Sequence, residues 1–228
     1  MIEEILPGAV VSCHAFTDPP GVVIFPEEAD LVRNAVEKRR REFATARHCV
    51  HRALELLGVP PAPVLADARG EPVWPPGVAG SITHCAGYRA AAVGAAPAAI
   101  GIDAEPDGPL PPGVLEAVSL PRERQMLRRL AADHPGTSWD RLLFSAKESV
   151  YKAWYPLARR WLDFQDAVIV LDPLRGTFEA RLLVAGLRWQ GRPLSGFAGR
   201  WTSGDGLVLT AIAVTAGRAG GPAEGTEP

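Results

Sequence analysis

Residues Ile100-Gly101-Ile102-Asp103-Ala104-Glu105-Pro106 run straight on into Asp107-Gly108-Pro109-Leu110-Pro111-Pro112-Gly113, and this passage divides the chain. The first part continues strand text that begins near Ala98. On a strand, residues two apart face the same side. Ile100 and Ile102 then face a core, Asp103 and Glu105 project together, and Pro106 ends the strand at an edge that a ligand can approach. The second part, Pro106 to Gly113, is proline- and glycine-rich and reads as a linker. Two halves therefore meet near residue 110, covering 1–110 and 111–215.

Upstream, the chain to about Phe25 is mixed apolar text punctuated by Pro19, Pro20 and Gly21. From Pro26 to Leu57 the apolar residues Leu31, Ala35, Phe43, Ala46, Val50, Ala53 and Leu54 recur with helical spacing. The acidic start Glu27-Glu28 suits the helix dipole, Gly58 with Pro60 and Pro61 stops the helix, and a break is expected near the basic run at Lys38. Residues 58–80 read as an ordered irregular loop, followed by short strands at Ser81–Ile82, Ala90–Gly94 and Ala98–Ile102.

Downstream, helical text covers Leu115–Ala132. After the turn His134-Pro135-Gly136, Ser138 is placed to cap a helix over Trp139–Tyr155 whose apolar face includes Leu142, Leu143, Ala146, Val150, Ala153 and Trp154. Strands at about 167–171, 177–183, 197–202 and 207–215 form an antiparallel meander through the turns at 191–193 and 203–206. Text beyond Ala216 reads as a disordered tail, 216–228. The fold class expected is α+β, with a helix followed by antiparallel strands in each half.

Charge is nearly balanced at −2 and the pI is near 6.2, which argues against a general nucleic-acid binder. No apolar run approaches membrane-spanning length, and Glu3 and Glu4 do not suit the start of a signal peptide, so a cytoplasmic protein with no membrane partner is expected. The three cysteines, Cys13, Cys49 and Cys85, are far apart and too few for a disulfide framework. Each adjoins a histidine, yet sequence neighbours chelate one ion poorly, and buried thiols are the simpler reading. Twenty-one arginines stand against three lysines, two of which are Lys147 and Lys152. A lysine kept against that bias suggests a need for a compact, movable ammonium.

Four clusters carry candidate chemistry. Asp103 and Glu105 form half of a magnesium site that phosphate oxygens and water would complete. In Phe144-Ser145-Ala146-Lys147-Glu148-Ser149-Val150-Tyr151-Lys152, Glu148 and Lys152 are four apart and share a helix face, with Lys147 one position round. Thr83 and His84 offer a hydroxyl and an imidazole to a phosphate. In the basic helix, Arg40 and Arg47 lie two turns apart, beside Lys38, Arg39 and Arg41, and suit a multi-phosphate ligand. Taken singly, each cluster reads more simply as a solvated charged face, a surface ion pair or a structural histidine.

Their order and text together resemble the long, pseudo-dimeric 4′-phosphopantetheinyl transferases, and the actinobacterial branch in particular. Gly101, Asp103 and Glu105 match the family's G-x-D-x-E strand, while Phe144, Lys147, Glu148 and Lys152 match its (W/F)-x-x-K-E-x-x-x-K helix. Thr83-His84, the loop Gly70 to Pro75 and Lys152-Ala153-Trp154 also match, so the resemblance spans about residues 10–215. It implies two similar α+β halves with the active site in the cleft between them. It further implies transfer of the phosphopantetheine of coenzyme A to a serine of an apo acyl carrier, peptidyl carrier or polyketide synthase carrier domain, by a monomeric enzyme. Asp103, Glu105 and Glu148 would hold Mg²⁺, with Mn²⁺ as a substitute, and a water would fill the place that Ala104 cannot. Arg39, Arg47, Thr83 and His84, helped by Asp67, Ala68 and Arg69, would bind the 3′-phosphate and adenosine. Lys147 and Lys152 would neutralise the pyrophosphate, and Glu148 would act as base directly or through a water on the metal, or serve only as a ligand. Asp103, Glu148 and Lys152 form the expected catalytic set. Two alternatives are a Mg²⁺-dependent nucleotide or coenzyme A hydrolase and a silent coenzyme A-binding protein; the intact carboxylates argue against the second.

Overall fold

The computed structural model describes residues 1–67, 69–184 and 187–215. Ala68 and the tail expected at 216–228 lie outside the described residues. After a 3₁₀ turn (Ile2–Ile5) come β1 (Val11–Ala15), α1 (Pro26–Asp30), α2 (Glu37–Leu56), β2 (Ala79–Cys85), β3 (Tyr88–Gly94) and β4 (Pro97–Pro106). There follow α3 (Val114–Val118), α4 (Pro121–Asp133), α5 (Trp139–Ala158), β5 (Ala167–Asp172), β6 (Thr177–Leu182), the short pair β7 (Arg188–Trp189) and β8 (Arg192–Pro193), then β9 (Gly196–Gly204) and β10 (Leu207–Thr215). The architecture is α+β.

The strands form a three-stranded sheet in the order β1-β3-β2, a five-stranded sheet in the order β4-β10-β9-β6-β5, and the small β7-β8 pair, all antiparallel. Helix α2 packs Cys49, Val50, Ala53 and Leu54 against the β3 residues Ala91 and Val93. Helix α5 packs Leu142, Ala146, Val150 and Ala153 onto the larger sheet, joined there by Ile169, Phe178, Val208 and Ile212. A third core brings Ile2 and Ile5 against Ile100, Ile102 and Ala104 of β4 and Leu207 and Leu209 of β10.

Strand β4 precedes the expected linker, yet its backbone pairs with β10 along its length, with Asp103 opposite Thr210. Its other edge meets β2 without a backbone ladder. There the Ile102 N–H donates to Ser81 Oγ (3.1 Å) and the Ala104 N–H to Thr83 Oγ1 (3.0 Å). Both pairs advance together, so β2 and β4 run parallel. The two sheets thus meet at a seam closed by side-chain hydroxyls, a way of satisfying backbone donors that would otherwise be buried unpaired.

Local details differ from the sequence reading. The helix break falls at residues 31–36, just ahead of Lys38, and separates α1 from α2. The helix expected over 115–132 is two helices, because Pro121 takes the first position of α4, where its missing N–H costs nothing. The Ser138 side chain makes no capping bond. Instead its backbone N–H donates to Asp107 Oδ1 (2.8 Å), and Asp140 Oδ2 accepts from the Leu110 N–H (2.9 Å), so the linker is laced to the start of α5.

Candidate active site

Helix α5 crosses β4 at Gly101, where an added Cβ would collide with the Ser149 carbonyl oxygen. Only a residue without a side chain permits this approach. Small hydroxyl residues complete the contact: Ser145 and Ser149 on α5 both hydrogen-bond Thr210 on β10, at 2.9 and 2.6 Å. The close crossing brings Lys152 onto β4. Its ammonium donates to the Ile102 carbonyl (3.0 Å) and to Asp103 Oδ1 (2.8 Å). Asp103 is 5% exposed, and its second oxygen, Oδ2, is buried with no hydrogen-bond partner among the described residues.

Glu148 stands one turn before Lys152. Burial, aided by the Asp103 charge, pushes its carboxyl above the ordinary value, while Lys152 opposes the shift. Glu105 is likewise raised by burial and by Asp103, although Arg141 donates to its Oε2 at 3.0 Å. Arg141 also grips the linker carbonyls of Gly108 (3.0 Å) and Pro109 (2.8 Å), so Glu105 is held from a fixed point. Three carboxylates here share two cations, and one buried oxygen is left unsatisfied. Hard oxygen donors with surplus negative charge suit a divalent cation completed by ligand oxygens. Among the described residues, protein carboxylates, histidines and cysteines alone do not assemble a three-ligand cluster.

A cavity of about 660 Å³ opens from Glu148 and Lys152 towards α2. Arg39, Phe43 and Arg47 follow one another at four-residue intervals on α2 and form one wall. Arg39 donates to His84 Nε2 at 2.7 Å. Burial, then the charges of Arg39, Lys152 and Arg89, lower the His84 pKa, so the ring is neutral and keeps its Nδ1–H as a donor. The Arg47 guanidinium lies 4.6 Å over the Phe43 ring, while its Nε sits 3.7 Å from Glu28 Oε1. Glu28 is fully buried and is itself anchored by His51 (3.1 Å) and the Val64 N–H (2.9 Å). Trp74, Tyr151, Tyr155 and Arg69 also line the cavity.

The structure therefore gathers Arg39, Arg47, Arg69, His84, Glu148 and Lys152 around one cavity, with Asp103 directly behind Lys152. Other expected residues lie elsewhere. Lys147 is 3% exposed and points into the protein, where Nζ meets Glu123 (2.9 Å) and the carbonyls of Phe164 and Ala167 (both 2.6 Å). All three of its donors are spent, which removes it from the cleft. Thr83 and His84 lie within β2, not after a strand, and so face opposite ways. The Thr83 hydroxyl is in the seam. Asp67 shapes the loop by accepting the N–H groups of Arg69 (2.8 Å) and Glu71 (2.9 Å) and does not line the cavity. Arg40 pairs outward with Glu37 at 2.8 Å. Sequence reasoning missed Arg141 and Glu28. Neither carries a local signal: Glu28 stands in the acidic helix start Pro26-Glu27-Glu28-Ala29-Asp30, where it reads as a complement to the helix dipole.

The description "4′-phosphopantetheinyl transferase N-terminal domain" matches residues 27–94, and "4′-phosphopantetheinyl transferase superfamily" matches residues 99–203. The chain is similar to the 4′-phosphopantetheinyl transferase Svp of Streptomyces mobaraensis, with 58% identity over 95% of this chain and 90% of the relative. It is also similar to the 4′-phosphopantetheinyl transferase PptT of Mycobacterium tuberculosis, with 49% identity over 93% of this chain and 97% of the relative. Npt of Nocardia iowensis, of the same name, is 49% identical over 93% and 99%.

Proposed function

The chain belongs to the 4′-phosphopantetheinyl transferase superfamily, and we propose that its cavity binds coenzyme A between an arginine-rich end on α2 and a carboxylate–lysine end on α5. The enzyme transfers the phosphopantetheine of coenzyme A to a carrier-protein serine and releases adenosine 3′,5′-bisphosphate. The observation behind the placement is that one cavity joins Arg39, Arg47 and His84 to Glu148 and Lys152. Two guanidinium groups and an imidazole N–H suit a phosphate monoester such as the 3′-phosphate. Arg69 and the aromatic wall suit the adenosine.

In the transfer, the serine oxygen attacks the β-phosphorus and the bond to the departing bisphosphate breaks. Glu148, one helical turn before Lys152, is placed to take the serine proton, directly or through a water. Lys152, fixed by Asp103 and the Ile102 carbonyl, offsets charge on the leaving oxygen. Asp103, Glu105 and Glu148 would hold Mg²⁺, or Mn²⁺ in its place, with Asp103 Oδ2 offering an uncommitted donor. When bound, the ion supplies charge neutralisation at the pyrophosphate.

The relatives are named as transferases, which leaves the hydrolase alternative without support. We further read the enzyme as a cytoplasmic monomer acting on acyl, peptidyl and polyketide carrier domains. Among the described residues no helix is long and apolar enough to cross a membrane. Incubation with coenzyme A, Mg²⁺ and a panel of apo-carriers, followed by intact-mass measurement, tests the assignment. Carriers should gain the phosphopantetheine mass. Release of adenosine 3′,5′-bisphosphate without carrier modification would overturn it.

A further inference from the structure

We propose that Thr83 is a positioning residue for Asp103, acting through its hydroxyl across the seam between the two sheets, and is not a phosphate ligand. The proposal rests on the reading above that Asp103 is a metal ligand. Thr83 is 1% exposed and sits on β2 beside β4. A hydroxyl has one proton to give and two lone pairs to accept with. Thr83 Oγ1 accepts the Ala104 N–H at 3.0 Å, so its own proton is free to go elsewhere, and Asp103 Oδ1 receives it at 3.3 Å. Lys152 reaches the same Oδ1 at 2.8 Å. One carboxylate oxygen is thereby fixed by two donors on different elements, while Oδ2 remains buried and uncommitted.

This arrangement decides which oxygen of Asp103 is left for a ligand. Hydrogen bonds to a ligating carboxylate set its rotation and its basicity, and losing one commonly weakens metal binding by about 10–100-fold. The seam supplies its own control. Ser81 makes the same kind of bond, accepting the Ile102 N–H at 3.1 Å, but among the described residues it has no hydrogen bond to a carboxylate. Removing either hydroxyl orphans a buried backbone N–H; removing only one of them releases Asp103.

The experiment titrates Mn²⁺ into the full chain with saturating coenzyme A and follows free Mn²⁺ by electron paramagnetic resonance, with melting curves alongside. Thr83→Val, and Thr83→Ala should the valine variant not fold, should bind Mn²⁺ about 10–100-fold more weakly. Thr83→Ser should restore wild-type affinity. Ser81→Ala should lower the melting temperature comparably while leaving Mn²⁺ affinity as in wild type. Equal losses in Thr83→Val and Ser81→Ala, or none in Thr83→Val while Asp103→Ala loses binding, would overturn the inference and leave the metal reading standing. An Asp103→Ala variant that keeps wild-type Mn²⁺ affinity would overturn both. A rise in KM for coenzyme A but not for 3′-dephospho-coenzyme A in Thr83→Val would return the hydroxyl to the phosphate.

Discussion

Replacing Lys147 by methionine removes an ammonium that is 3% exposed and leaves the Glu123 carboxylate, 1% exposed, without its countercharge. Glu123 would still accept the N–H groups of Leu120 and Ile169, both at 2.7 Å, but two dipoles do not replace a cation. The Phe164 and Ala167 carbonyls also lose a charged donor. Removing one member of a buried ion pair costs about 3–5 kcal/mol. For a chain of this size that corresponds to a fall of roughly 6–20 °C in Tm. Turnover per folded molecule, measured well below the transition, should stay within about threefold of wild type, because the ammonium does not reach the cleft. The double variant Lys147→Met/Glu123→Gln should be more stable than the sum of the singles by about 1–3 kcal/mol, since it removes the stranded charge. Thermal melting and carrier-modification kinetics on the same preparations provide the assay. A Tm within about 2 °C of wild type combined with a loss of about 100-fold in kcat would refute the structural role and put Lys147 back at the pyrophosphate.

Arg47→Ala and His84→Ala should mainly raise KM for coenzyme A and lose far less with 3′-dephospho-coenzyme A; equal losses with both substrates would exclude a 3′-phosphate site. Lys152→Arg should lower kcat by about tenfold or more at unchanged Tm, because a planar guanidinium cannot sit between the Ile102 carbonyl and Asp103 as a point charge does; near-wild-type turnover would make Lys152 scaffold. Burial, with the nearby Asp67 charge, raises the Glu71 carboxyl to about 6 from 4.5 against the pull of Arg159. Between those values the folded state holds a proton that the unfolded chain has released, so stability falls as pH rises through the window. Glu71→Gln should flatten that slope in urea titrations at about pH 4.5 and about pH 6.5, and an unchanged slope would assign it to another group.

The strand carrying Asp103 and Glu105 was legible because period-two alternation leaves little choice once Ile100 and Ile102 face the core. Gly101 was legible as part of a pattern, but its reason, the α5 crossing, exists only in three dimensions. Lys147 was misplaced for a reason already present in the sequence. Leu143, Lys147, Val150 and Trp154 follow helical spacing on the apolar stripe, whereas Glu148 and Lys152 occupy a neighbouring face. Adjacent residues on a helix diverge by about 100°, so Lys147 and Glu148 point into different layers. The same oversight affected Thr83 and His84, since strand neighbours face opposite sides and one phosphate cannot take both. Arg141 and Glu28 were illegible because each acts on a residue more than ten positions away, through contacts that no local pattern encodes.

The pairing of β4 with β10 also sets a timetable for synthesis. Asp103 and Glu105 leave the ribosome on a strand whose only ladder partner among the described residues, 207–215, is translated about a hundred residues later. At about 5–20 residues per second, that is roughly 5–20 s during which the strand bearing both carboxylates has an open edge. The opening Ile2–Ile5 turn waits as well, since Leu207 and Leu209 complete the core that covers it. The first sheet and α2 can settle early as a local unit, but the carboxylate end of the cleft closes only with β10. A nascent chain stalled anywhere before Leu207 therefore carries its arginine wall without a finished carboxylate site.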